Sequence, residues 1–144
     1  MIKIATKDNA LVMANLAIQM WEDNSIEGLT DEFIELIEKE NAQIFIKYVE
    51  DKAVGFAQCQ LRYDYVEGTE TTPVGYLEGI FVEEEHRGKG YAKELLNECQ
   101  KWAKEKGCLE FASDCGLDNV TSLNFHIAMG FEEANRIICF TKKL

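Results

Sequence analysis

The stretch HRGKGYA, residues 86–92, decides how this chain folds, because it separates an apolar run from a helical pattern. The run GYLEGIFV (75–82) precedes it and is apolar enough for a central strand. After the stretch, apolar residues recur at helical spacing as far as Gly107, a residue type common just past a helix end. The pattern therefore predicts a strand that passes through a tight glycine turn into a long helix.

This glycine turn has the chemistry of an anion site. The first N–H groups of a helix have no partner within the helix and lie at the positive end of its dipole. Glycines let a backbone approach a phosphate closely, and Arg87 and Lys89 add positive charge. The turn is too short for a Walker loop and lacks the GxGxxG spacing of a Rossmann turn. On these residues alone, a phosphate ligand and a turn without a ligand both remain open.

The patterns on either side predict one domain, residues 1–144, of the α+β (mixed α/β) class. Helical spacing predicts helices at 8–23 with Asp8 as the N-cap, at 29–40 with Thr30 as the N-cap, at 88–106 and at 118–129. Alternating or continuous apolar runs predict strands at 2–6, 42–50, 53–66, 74–85, 108–114 and in the last residues. A hairpin turn is expected at residues 50–52.

Composition indicates a globular protein of the cytoplasm. Hydrophobic residues make up 47% of the chain, yet no apolar run approaches the roughly 20 residues of a membrane helix. The first residues, MIKIATKDNA, lack the pattern of a signal peptide. The five cysteines are scattered without CxxC spacing, which favours reduced thiols over a metal site or a disulfide framework.

The charge is unevenly distributed along the chain. The net charge of −11 argues against a nucleic-acid partner. Between residues 53 and 86 the only basic residue is Arg62, against seven acidic ones, and no lysine or arginine lies between residues 108 and 135. Six of the fifteen basic residues fall within residues 87–106. This distribution indicates either a solvated acidic surface or a field that concentrates a cationic ligand.

Two motifs resemble those of the GCN5-related N-acetyltransferase (GNAT) superfamily. Residues 87–92, RGKGYA, match its Arg/Gln-x-x-Gly-x-Gly/Ala signature between a central strand and a long helix. Asn119-x-x-Ser122 precedes a helix that ends at MGF (129–131) and is similar to a second superfamily element. The resemblance implies a mixed, mostly antiparallel central sheet flanked by helices, with a splayed strand pair that binds acetyl-CoA.

Over nearly the whole chain, the sequence looks like the aminoglycoside 6'-N-acetyltransferases. The likeness is carried by YVEGTETTPVGYLEGIFV (65–82), EFASDCGLDNVTSLNFH (110–126) and FEEANRIICF (131–140). It implies acetyl transfer from acetyl-CoA to the 6'-amine of these antibiotics, antibiotic resistance, no metal, and a homodimer. The predicted C-terminal strand IICFTKKL (137–144) offers an edge for pairing between chains. Polycationic substrates would explain the acidic segments. Two alternatives remain: acetylation of another polyamine or amino sugar, and an acetyl-CoA-binding module without activity.

The resemblance also implies which residues hold acetyl-CoA. The backbone of Ile80, Phe81 and Val82 would pair with the pantetheine amides, after a bulge at Gly79 that splays the strand. An N–H near Ile80 would stabilise the oxyanion. The pyrophosphate would lie in the turn formed by Arg87, Gly88, Lys89, Gly90, Tyr91 and Ala92, and Asn119 would contact the cofactor or cap its helix.

Two carboxylates match substrate-contacting positions of the resembling family and are the expected catalytic pair. They are Glu78, at the expected bulge, and Asp114, at the end of the following strand. One would take the proton of the acceptor amine and one would bind the cation, with the assignment left open. Further substrate contacts are implied at Trp21, Tyr65 and Asn135. His126 stands where many superfamily members carry a tyrosine acid, and a structural role is the other reading.

Overall fold

A five-stranded sheet with the order β1-β2-β3-β4-β5 organises the chain in the computed structural model, which describes residues 1–144. The strands are β1 (Ile2–Ile4), β2 (Ala42–Val49), β3 (Lys52–Arg62), β4 (Val74–Val82) and β5 (Phe111–Ala112). The helices are α1 (Ala10–Ala17), α2 (Ile26–Glu38), α3 (Tyr91–Glu105) and α4 (Val120–Ala128). Short 3-10 turns at Lys7–Asn9 and Glu84–His86 precede α1 and α3.

The sheet is mixed and mostly antiparallel, as the resemblance implied. Strands β1 to β4 pair antiparallel in sequence order, and β5 pairs parallel with β4. The predicted hairpin between β2 and β3 is confirmed, and its tip carries Glu50 at φ 49 and Asp51 at φ 68. None of the helices is long and apolar enough to cross a membrane.

Helices cover the two faces of the sheet unequally. Helices α1 and α2 pack on one face, over Ile46 and Phe56. Helix α3 packs on the other face, over Cys59 and Leu77. Since side chains alternate along a strand, Gln58, Gln60 and Arg62 continue the first face, which stays covered at the buried Gln58 and is partly uncovered at Gln60 and Arg62. That uncovered part of the face is available for polar side chains.

Several predicted boundaries were wrong, each for a local reason. Helix α2 begins after Ser25, whose Oγ accepts from the Gly28 N–H at 3.0 Å, whereas Thr30 lies inside the helix and donates to the Ile26 carbonyl. Asp8 lies in the 3-10 turn and makes no capping bond. Helix α1 ends at Ala17, before the WED segment.

The C-terminal part also differs from the prediction. Strand β5 contains only two residues, because its pairing with β4 stops at Tyr76 and Ala112. Residues 131–144 form no strand in the structure. The side chains of Ile138 and Phe140 are 75% and 88% exposed. This segment therefore has the sequence pattern of a strand but pairs with no strand of the structure.

Candidate active site

The turn between β4 and α3 presents a row of N–H groups with no protein partner. None of the six backbone N–H groups from Gly88 to Lys93 donates a hydrogen bond within the protein. Gly88 and Gly90 have φ values of 76 and 83, in the left-handed region that glycine tolerates best. The turn residues 87–90 are exposed. A row of free N–H groups leading into a helix N-terminus fits a phosphate or pyrophosphate.

The free edge of β4 lies beside this turn. The Glu83 N–H donates to the Val54 carbonyl at 2.8 Å, so alternation along the antiparallel ladder turns the N–H and C=O of Ile80 and Val82 away from β3. They face the side on which β5 has already ended. Arg87 Nε donates to the Val82 carbonyl at 2.7 Å. The N–H and C=O of Ile80 and the N–H of Val82 therefore remain free at the edge of β4.

Phe81 does not share this edge. Its backbone groups point toward β3 by the same alternation, and its ring is buried among the apolar residues under α1 and α2. Of the three residues expected to pair with pantetheine, two therefore present backbone groups to the opening. Phe81 contributes by fixing the strand in the core.

A bulge lies next to the predicted position, Gly79, but it forms between β4 and β3 and not toward the following strand. The register between β3 and β4 shifts between Gln58 and Cys59, which pair with Gly79 and Leu77 and leave Glu78 without a partner. The bulge distorts β4 against β3, the preceding strand, while the separation from β5 begins past Tyr76. It inserts Glu78 into the strand at the uncovered face.

Both predicted carboxylates are held by neighbouring side chains. Glu78 accepts a bidentate pair of hydrogen bonds from Arg62, at 2.9 Å from Nε and 3.0 Å from Nη2. Asp114 accepts a short hydrogen bond from the Tyr76 hydroxyl. Burial and, next, this hydrogen bond raise the pKa of Tyr76, so the phenol remains a donor at neutral pH. The Arg62 guanidinium lies over the Tyr76 ring, 3.4 Å from its centroid.

Two open cavities adjoin the Arg62–Glu78 pair. One, of about 330 Å³, is lined by Trp21, Asn24, Leu29, Glu32, Phe33, Leu36, Gln58 and Glu78. The other, of about 430 Å³, is lined by Gln60, Leu61, Arg62, Tyr63, Asp64 and Tyr65. Because each partner of the ion pair lines one cavity, the pair lies between them. Glu32 in the first cavity and Asp64 in the second add negative charge.

Trp21 and the bulge are in direct contact. A Cβ built on Gly79 would lie 2.9 Å from Cζ2 and 3.1 Å from Cη2 of Trp21. The indole also packs edge-on against Phe56. Trp21 therefore packs against the core and also lines the first cavity.

Tyr65 and Asn135 form a separate group around Glu67. The Tyr65 hydroxyl donates to Glu67 at 3.1 Å, which raises the pKa of Tyr65, and the Asn135 amide donates to the other Glu67 oxygen at 3.0 Å. Tyr65 is 80% exposed. The structure thus brings these two residues together through an acid that the sequence analysis did not select.

The two candidate residues at the start of α4 and within it, Asn119 and His126, have structural partners. Asn119 caps α4, since its side chain accepts from the Ser122 N–H at 3.1 Å. His126 Nδ1 lies 2.7 Å from the Ser122 carbonyl, and Nε2 lies 2.8 Å from the Ser113 hydroxyl. A carbonyl only accepts, so Nδ1 carries the proton and Nε2 of the neutral ring accepts from Ser113. A neutral His126 therefore has no proton to give from Nε2.

The comparisons with known proteins identify the family of this chain. The model described as the acetyltransferase (GNAT) family matches residues 11–131. The chain belongs to the GNAT acetyltransferase family. This GNAT chain is 37% identical to the aminoglycoside N(6')-acetyltransferase type 1 of Acinetobacter haemolyticus, over 99% of this chain and 98% of that protein. It is 39% identical to the protein of the same name from Serratia marcescens, over 100% and 99%.

A solved structure extends the likeness to the fold. The GNAT chain superposes on the aminoglycoside N-acetyltransferase AAC(6')-Iy in complex with CoA with a TM-score of 0.97 at 35% identity, covering 100% of this chain and 95% of that one. No cluster of three or more His, Cys, Asp or Glu side chains in the structure could hold a metal ion.

The sequence analysis did not select three side chains that contact the candidate residues: Arg62, Tyr76 and Glu67. Arg62 carried a usable signal, since it is the only basic residue within an acidic stretch. Tyr76 read as an apolar strand residue, and its hydroxyl meets Asp114, 38 positions away, only after the strands align. Glu67 was one acid among many in a loop, and nothing in the sequence distinguished it.

Proposed function

We propose that this GNAT acetyltransferase moves the acetyl group of acetyl-CoA to the 6'-amine of aminoglycoside antibiotics by direct attack, and so confers resistance. One observation carries the proposal: the chain matches aminoglycoside N(6')-acetyltransferases over its whole length, at 37% and 39% identity in the two relatives above. The enzyme is a cytoplasmic one in this proposal, since acetyl-CoA is the donor and the cysteines are free thiols.

In the proposed complex, the pyrophosphate of acetyl-CoA binds the exposed turn at residues 87–92. The support is the row of six free N–H groups and the open space at Gly88 and Gly90. The pantetheine amides pair with the free edge of β4 at Ile80 and Val82. The thioester then lies in the opening between β4 and β5, where the Ile80 N–H is available to the developing oxyanion.

The acceptor amine must lose a proton before it attacks. An alkyl ammonium has a pKa about three units above neutrality, so deprotonation costs roughly 4 kcal/mol. Glu78 and Asp114 are the proposed acceptors of that proton, directly or through water, and also bind the cation. Trp21 lies beside Glu78, whereas Tyr65 and Asn135 with Glu67 supply a second contact for the sugar rings.

The first test is acetyl-CoA turnover, followed by release of the free thiol of CoA. The acceptors are tobramycin, kanamycin and amikacin, a 6'-hydroxyl analogue and spermidine. Turnover of the drugs without turnover of the 6'-hydroxyl analogue supports both the activity and the site of transfer. Turnover of spermidine alone would contradict the substrate assignment and favour the polyamine alternative. No turnover with any acceptor, together with binding of acetyl-CoA, would favour a binding module.

We also propose that the enzyme is a homodimer formed through residues 131–144. The support is that this segment has a strand pattern and no strand partner in the protomer, while Ile138 and Phe140 are exposed. Light scattering after size exclusion should give twice the monomer mass. The double variant Ile138→Asp with Phe140→Asp should give the monomer mass. A monomeric wild-type protein at assay concentration would contradict this proposal and leave the acetyl transfer standing.

A further inference from the structure

One arginine connects the two carboxylates of the proposed active site. Arg62 donates to both oxygens of Glu78 and stacks on the face of Tyr76, while the Tyr76 hydroxyl donates to Asp114. We call these four side chains the Arg62 chain. It joins β3, β4 and the segment that follows β5, and it ends at a carboxylate on either side.

The fold creates this arrangement from residues far apart in sequence. Arg62 is the last residue of β3 and lies opposite Val74 at the start of β4. Tyr76 lies between Gln60 on β3 and Ala112 on β5, and Asp114 follows Ala112 by two residues on the same face. The bulge brings the unpaired Glu78 within reach of the same guanidinium.

The guanidinium of Arg62 fixes Glu78 more completely than the ammonium group of a lysine would. A bidentate pair is planar and directional, so it sets the rotation of the carboxylate as well as its position. Glu78 is only 19% exposed in its side chain, and Arg62 is its single salt-bridge partner. The carboxylate oxygens still have lone pairs beyond the two that Arg62 uses, and these remain available to an acceptor amine.

The same guanidinium acts on Asp114 through the Tyr76 ring. Asp114 itself is exposed and has one side-chain partner, the Tyr76 hydroxyl. The ring is held on one face by Arg62, at 3.4 Å from its centroid. Removal of Arg62 therefore frees the rotation of Glu78 and takes away one contact of the Tyr76 ring, which also packs against Val66 and Val74.

We propose that Arg62 is a positioning residue. It holds Glu78 and Asp114 in one fixed relative orientation before the acceptor amine binds. This inference rests on the acetyl transfer proposed above. Two unpaired carboxylates at the site would repel each other and move independently, whereas the Arg62 chain joins them through one cation and one ring. Catalysis by position requires that the groups flanking the reacting amine be held in place in advance.

The test compares Arg62→Met, Arg62→Lys and Tyr76→Phe with wild type, using kanamycin and acetyl-CoA. Arg62→Met should lower kcat by about 100-fold, the order expected when a reacting group is misplaced by about 1 Å. The KM for acetyl-CoA should stay within about twofold, since the turn at residues 87–92 is elsewhere. Arg62→Lys should recover only part of kcat, because an ammonium group binds one oxygen and cannot stack flat. Tyr76→Phe, which removes one hydroxyl, should lower kcat less than Arg62→Met.

A double-mutant cycle separates positioning from a general loss of structure. In the Asp114→Asn background, Arg62→Met should cost at least tenfold less in kcat than in wild type, because the two act through the same chain. Full additivity of the two changes, or a wild-type kcat in Arg62→Met, would overturn the inference. A lower KM for kanamycin at unchanged kcat would also overturn it, and would make Arg62 a competitor of the acceptor.

These outcomes are distinct from failure of the proposed function. If wild type acetylates no aminoglycoside, the function itself is wrong and the inference falls with it. If wild type is active, the results for the three variants test only the inference about Arg62 and not the proposed function. Thermal unfolding of each variant identifies any that does not fold. If an Arg62 variant does not fold, Tyr76→Phe, the smallest change, tests the inference by its kcat and by its own double-mutant cycle with Asp114→Asn.

Discussion

Gly79 is a glycine because an indole occupies the space that its side chain would need. The nearest atoms to an added Cβ belong to the six-membered ring of Trp21, at 2.9 and 3.1 Å. Contacts this short force the larger group to move. A small residue in the bulge thus places Trp21 beside Glu78, at the wall of the first cavity.

Gly79→Ala should lower the free energy of unfolding by about 1 to 3 kcal/mol, as overpacking does, and should raise the KM for the acceptor by displacing Trp21. Urea unfolding and steady-state kinetics measure the two effects. In a Trp21→Ala background, the same change meets no ring and should cost little further. An equal cost in both backgrounds would show that the indole is not the obstacle.

Gly90 is required for its backbone conformation and not for space. Its φ is 83, and no atom lies within 4 Å of an added Cβ. Gly90→Ala should therefore cost about 1 to 2 kcal/mol for the left-handed conformation and should distort the row of N–H groups, so that the KM for acetyl-CoA rises.

Gly107 provides the matched control for this change. It lies at the other end of α3, with φ 92 and equally open space. Gly107→Ala should give a similar loss of stability with an unchanged KM for acetyl-CoA. A rise in KM in both variants would show that the effect comes from helix stability and not from the turn.

At the scale of elements, a buried lysine joins β2 to the first turn of α3. Lys47 is only 7% exposed, and its Nζ lies 2.6 Å from Glu94 Oε2 and 4.5 Å from the centroid of the Tyr91 ring. The bond to Glu94 raises the pKa of Lys47. The proximity of Lys47 in turn lowers the pKa of the Met1 amino group. Glu94 is therefore the carboxylate that balances the positive charges of Lys47 and the Met1 amino group.

Removal of the two partners should have unequal effects. Glu94→Ala leaves a buried cation without its carboxylate and should cost about 3 kcal/mol of unfolding free energy. Lys47→Met leaves a half-exposed carboxylate that water can solvate and should cost about 1 kcal/mol or less. Urea unfolding near pH 7 measures both variants. Equal losses would mean that the burial of Lys47 is not what makes the pair matter.

Elements whose signals are local were predicted well, and those that depend on a partner were not. Helix α3 ends before Gly107 and α4 before Gly130, as predicted, since a positive φ at the residue after a helix favours glycine. The predicted start of α2 was wrong because Ser25 and Thr30 are both capping residue types, and the observed bonds show that Ser25 caps the helix. The C-terminal segment has the pattern of a strand, but a strand also needs an edge to pair with.

At the scale of the whole molecule, the charge distribution makes a prediction about binding. The chain carries a net charge of −11, and the two cavities contain Glu32, Glu78 and Asp64. A field of this sign concentrates a polycation near the site, and salt screens it over about 10 Å at 0.1 M.

The KM for kanamycin should rise several-fold between about 20 and about 300 mM KCl, because screening weakens this attraction. Steady-state kinetics at fixed pH and saturating acetyl-CoA measures it. A monoamine acceptor should give a shallower dependence over the same range. A flat profile for kanamycin would remove the electrostatic explanation of the acidic segments.

The sequence by itself determined the strand–turn–helix at residues 75–106, the hairpin at residues 50–52 and the class of the fold. These depend on periodicity and on glycine conformations, which act between near neighbours. It also indicated Glu78 and Asp114 through the resemblance. Only the tertiary structure decided that Arg62 binds Glu78 across 16 positions and that Tyr76 binds Asp114 across 38. Side chains so far apart meet only once three strands pair in one register with one bulge, and a one-residue shift would turn them to opposite faces.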